Sequence, residues 1–130
     1  MRKIIGMVLL FALFGSVAMA ATYPVTATFT HGFKDTAGNN ETGLLVVKLY
    51  NNATDAIVST ITITGPVTNQ AMPGFNLTVP DNATTNVQFY ATATDAAGNV
   101  SVKGMSNIVA VKGLDTVAPS TITVNITITQ

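Results

Sequence analysis

Beyond residue 20, every apolar stretch repeats with a period of two, and none shows the period of a helix. "YPVTATFTH" (23–31) puts Tyr23, Val25, Ala27 and Phe29 on one face and Thr26, Thr28 and Thr30 on the other. "LLVVKLY" (44–50) is more continuously apolar and reads as a strand buried on both sides, or nearly so. "IVSTITIT" (57–64) and "FNLTV" (75–79) alternate again. "VQFYATAT" (87–94) turns Val87, Phe89, Ala91 and Ala93 inward, and "SNIVAVK" (106–112) is a further strand. Between these lie turn-rich stretches: 34–43, 51–56, Pro80–Asn82 and the hairpin "DAAGN" (95–99). "PVTNQAMPG" (66–74), with its two prolines, reads as a loop. Six short strands rich in Thr, Val and Ile, with turns at regular spacing, predict an all-β, antiparallel two-sheet sandwich. A seventh alternation, "TITVNITIT" (121–129), follows them.

The first residues change where this fold is expected to work. Arg2 and Lys3 precede the apolar run Ile4–Phe14, and Ala18-Met19-Ala20 follows as an A-x-A site. That is the pattern of a signal peptide over residues 1–20, cleaved after Ala20. The run is short for a membrane span. The expected protein is therefore secreted: extracellular, at the cell surface or periplasmic, with no membrane insertion after cleavage. Without the leader, four lysines stand against five aspartates and Glu41, a net charge of −2. There is no cationic cluster for nucleic acid or an anionic membrane. The chain has no cysteine, so its fold is not stapled by disulfides.

"VQFYATATDAAGNVSVKGMSNIVAV" resembles strands F and G of fibronectin type III domains, an immunoglobulin-like sandwich common in bacterial secreted proteins. The resemblance lies in the inward alternation, "ATDAAGN", Ser101, and the run Ser106, Asn107, Val109, Val111. "FTHGFKDTAGNNETGLLVVKLYNN" is similar to strand B, a loop and strand C. The likeness covers most of 22–112. It implies a sandwich domain over 21–113 and says little about function, because such folds carry many unrelated roles. Phe29 stands where the family has a strand-B Trp, and Val87 where it often has a strand-F Tyr. "DTVAPS-TITV" resembles the linker and first strand, strand A, of a following domain. The expected mature N-terminus, by contrast, enters almost directly at strand B. Residues 114–130 thus read as a linker and an A-like strand at the far end of the domain.

That strand sets Ile122, Val124, Ile126 and Ile128 on one face. Burying four such side chains is worth about 6–12 kcal/mol as an upper bound, against a whole-domain stability of about 5–15 kcal/mol. An unpaired strand of this kind is also an aggregation hazard. It is expected either to pair with its own sandwich or to be donated to a neighbour, where repetition would build a filament.

Candidate chemistry is sparse. His31 is the single histidine and Glu41 the single glutamate, and no nucleophile-elbow motif is present. His31 at a strand–loop junction reads as a surface or capping residue. No catalytic residue, cofactor or metal ligand set is expected. "DTAGN" (35–39) and "DAAGN" (95–99) repeat one form, but each offers too few carboxylates for calcium. They read as Asp side chains bonding turn backbone. Six N-x-[ST] sequons occur, at Asn40, Asn52, Asn76, Asn82, Asn99 and Asn125. Asn40, Asn52, Asn82 and Asn99 fall in expected loops, where a glycan could attach. Tyr50, Tyr90 and Phe33 would suit carbohydrate only if they shared one open face. The reading is a secreted, non-catalytic structural or adhesive module. The alternatives are a filament subunit joined by its C-terminal strand and a carbohydrate-binding module.

Overall fold

The computed structural model describes residues 20–117 and Pro119. All but Ala20 of the expected leader, and the expected strand Ile122–Ile128, lie outside the described residues. What is described is all-β, without helix, and its ladders are antiparallel.

A four-stranded sheet runs in the order β4-β3-β8-β9, from Ile57–Ile63, Leu45–Asn51, Phe89–Thr94 and Gly104–Met105. β3 sits inside it with Leu45, Val47 and Leu49 buried and the alternate residues half-buried, as its nearly continuous apolar pattern implies. A second layer is a long ribbon. In it β1 (Ala20–Val25) pairs with β6 (Phe75–Pro80), and β2 (Thr28–His31) with β5 (Val67–Ala71). β7 (Thr84–Val87) and β10 (Val109–Lys112) form a separate ladder. Between the layers lie Leu45, Val47, Leu49, Ile63, Met72, Ala93 and Phe33, with Phe29, Phe75 and Phe89 packed against them. The arrangement is consistent with a two-layer sandwich. Ser59, buried on β4, donates to the Pro73 carbonyl at 2.7 Å and so ties the four-stranded sheet to the corner of the ribbon.

Ten short strands stand where the pattern predicts six, for two reasons. Two expected strands each divide, and a third is preceded by a short strand outside its span. Opposite Val25 and Ala27 the partner chain turns through Pro73-Gly74, and Pro73 has no N–H to give the ladder. The 23–31 strand therefore splits into β1 and β2, bridged by the Met72 N–H donating to Ala27 O at 2.8 Å. The expected 87–94 strand begins earlier, at Thr84, and breaks at Gln88, where its partner changes from β10 to β9. Opposite that break, 106–112 resolves into β10, preceded by the short β9. The tenth strand is a correction: 66–74 is not a loop. Pro66 and Pro73 bracket β5 rather than interrupt it, so neither withdraws an N–H from within it. Asn69 takes a positive φ of 49°, and the β2–β5 register shifts between Phe29 and His31.

Candidate functional site: an open sheet edge

Among the described residues, β1 and β2 are laddered on one side only, by β6 and β5. Facing their other edge, across a cleft of about 500 Å³, runs the segment 101–106. The cleft floor is core: Val47, Leu49 and Ala93. Its far wall carries Val102 and Met105, 83% and 50% exposed.

That wall is held by two serines. The Ser101 hydroxyl accepts from Ala93 N at 2.9 Å while Ser101 N donates to Ala93 O at 2.8 Å. Ser106 repeats this on Phe89, at 3.0 and 2.9 Å. Each hydroxyl thus stands in for a ladder carbonyl and keeps an irregular edge attached to β8. Ser101 and Ser106 also donate their hydroxyls to Val102 O and Asn107 O, at 3.0 and 2.7 Å. His31 Nδ1 accepts from Phe33 N at 3.0 Å, a local turn contact. Within β1 the gap is bridged: the Tyr23 hydroxyl donates to Lys112 O at 2.6 Å.

Of the three aromatic candidates, Phe33 lies in the bend after β2, but its ring is not on the surface. It takes φ 57° and turns into the core, 8% exposed. Tyr50 and Tyr90 are ladder partners across β3 and β8 and stack at 4.8 Å and 7°. Tyr90 lies on the face of β8 opposite Phe89, Ala91 and Ala93, as its alternation implies, yet it is only 6% exposed. Lys103 Nζ sits 4.0 Å from its ring centre, and its hydroxyl donates to Asp55 at 2.9 Å. Desolvation first, then the bond to Asp55 and the charge there, raises the Tyr90 phenol above its ordinary pKa. The three rings do not share an open face.

The two Asp-Asn repeats fold alike. In each, the Asp carboxylate accepts from the Asn backbone N–H at 2.8 Å and from its side-chain amide, at 3.1 Å for Asp35 and 2.8 Å for Asp95. Gly38 and Gly98 follow at φ 87° and 88°, which glycine adopts without strain. Chiefly through the Asn side-chain bond, both carboxyls are held below the ordinary carboxylate value. A depressed acid stabilises the fold above its unfolded pKa, and this is lost as pH falls through the folded one. Thermal midpoints are expected to fall below about pH 4, with Asp35→Ala/Asp95→Ala flattening that fall. An unchanged acid limb in the double variant would contradict the role. Among the described residues, no group of three His, Cys, Asp or Glu side chains is placed to hold a metal ion.

The four loop sequons are exposed. Asn52 Nδ2 donates to Gln88, Asn82 Nδ2 to Thr116 Oγ1, and Asn99 Nδ2 to Asp95. Asn40 lies in a bridge with Lys34. Ile122, Val124, Ile126 and Ile128 fall outside the described residues. Sequence reasoning missed the cleft residues Val47, Leu49, Val102 and Met105 as a surface. The one available signal was the apolar pair Val100 and Val102 in an otherwise polar hairpin. Compared with family models, curated proteins and solved structures, the chain finds no match in any of the three.

Proposed function

We propose that this is a secreted, non-catalytic sandwich module of fibronectin type III-like build, with a structural or adhesive role outside the cell. It works by accepting an extended segment at its open edge. The observation carrying this is the cleft itself: an unladdered strand edge beside a floor of core side chains. In the fibronectin-like correspondence, β1 and β2 stand for strand B, β3 for C, β8 for F and the β9–β10 edge for G. The open edge is then the place of strand A. Large apolar side chains exposed along one segment are what an interaction surface offers, and 100–109 holds Val100, Val102, Met105, Ile108 and Val109.

Two measurements test this. Mass spectrometry of extracellular and surface fractions should find the chain starting at Ala21; a chain confined to the cytosol with its leader intact sinks the location. Val102→Asp/Met105→Asp should release surface-held protein while leaving the melting midpoint nearly unchanged, since both side chains are largely exposed. Undiminished retention would remove the cleft from the mechanism.

A further inference from the structure

We infer that the cleft takes the segment Ile122–Ile128 of a second copy of this chain, added antiparallel to β2, so that copies join head to tail. This rests on the strand-addition reading above and names the strand.

The segment fits the cleft chemically. From Ser120 to Gln130 it carries no charge, and its alternation offers one apolar face and one of Thr and Asn. Ile122, Val124, Ile126 and Ile128 would lie on Val47, Leu49 and Ala93, with Val102 and Met105 closing over them. His31 is the single titratable residue lining the cleft. Seven extended residues span about 20 Å, the length of Val25–His31.

Direction decides between the chain's own segment and a neighbour's. The chain leaves the fold at a fixed point. Gly113 N donates to Ala83 O at 2.8 Å and Asn82 N to Leu114 O at 2.9 Å. Asn82 Oδ1 accepts from Thr116 N at 2.8 Å. This point lies just past Pro80, the ladder partner of Ala20. The exit is therefore at the Ala20 end of the ribbon, where Tyr23 and Lys112 bridge the gap. The cleft lies toward the other end: Ala27 to His31 and Ser101 line it, and Tyr23 and Lys112 do not. From Ala20 to His31 is about 35 Å. Val117 to Ile122 reaches about 18 Å at most. A chain cannot bring its own segment round to the His31 end, whereas a neighbour stacked there can. From its own end the segment would run parallel to β1 and β2 and would meet the Tyr23–Lys112 bond first. From the neighbour it runs antiparallel, the slightly stronger ladder.

The chain's lack of cysteine makes the test clean. The full chain carrying only Thr28→Cys is unfolded, mixed with chains carrying only Thr123→Cys, Asn125→Cys or Thr127→Cys, refolded and oxidised. Disulfide-linked pairs of the two chains are expected at one or more of these positions. Chains carrying both cysteines should give a ladder of multiples of the monomer mass. Val124→Asp/Ile126→Asp should reduce the native mass to that of a monomer. Double-cysteine chains that close on themselves at monomer mass would overturn the inference in favour of self-pairing. Absence of any cross-link at all three positions would overturn the segment as occupant. In either case, loss of surface retention by the Val102→Asp/Met105→Asp variant would still stand for the cleft binding something else.

Discussion

Gly113→Ala should be among the most damaging single substitutions in the domain. A Cβ there would run into the Pro80 carbonyl, with the Pro80 carbonyl carbon and Asp81 Cα at 2.8 and 2.9 Å. All three are backbone atoms, so no side chain can swing aside. β10 would have to withdraw from the corner after β6, stretching the bonds from Gly113 to Ala83 and from Asn82 to Leu114 and Thr116. Overpacking of this kind costs about 1–3 kcal/mol or more. For a domain of this size the upper figure is a fall of about 10–20 °C in the melting midpoint. Gly65→Ala is the control: nothing lies within 4 Å of its Cβ position, and its φ is unexceptional. Equal midpoints for the two variants would mean that the corner does not hold the chain's exit as described.

Leu49→Ala should cost about 2–5 kcal/mol, a large part of the roughly 5–15 kcal/mol that holds a domain of this kind. Leu49 is 6% exposed on β3, laddered to Ser59 on one side and Ala91 on the other. Its side chain is both core and cleft floor. The lost volume therefore opens partly to the cleft, and the cost should fall below that of Leu45→Ala, whose side chain is 3% exposed. Denaturant midpoints should move with unchanged slope. Leu44→Ala, at a residue 51% exposed, should cost about 0.5 kcal/mol or less. If Leu44 proved the costly one, the strand would be shifted by one residue and every face inverted.

Strand identity was legible wherever alternation met a clear turn. Leu45–Asn51, Ile57–Ile63 and Phe75–Pro80 fall within a residue or so of the pattern that predicts them. The breaks were not legible, because their causes lie on other strands: Pro73-Gly74 interrupts a ladder about 45 residues upstream of itself. β5 was hidden because prolines mark the ends of an edge strand as readily as a loop. The burial of Phe33 was not legible for a related reason. Its neighbours are loop-like, and only a left-handed backbone with Glu41 N donating to Phe33 O turns the ring inward. The turns "DTAGN" and "DAAGN" were readable in full, since every partner lies within five residues. The cleft was least legible, being defined by what is not laddered beside β2, and a pattern of residues records only what each strand can do.

The Tyr23–Lys112 bond has a consequence for assembly. It makes the groove a socket barred beside β1, so a segment seated along β2 cannot run straight on past Tyr23. Any polymer joined through such sockets has two unlike tips, one offering an empty mouth and one offering a free strand. Addition at either tip would seat one strand in one mouth, so blocking one kind of tip would leave the other able to grow.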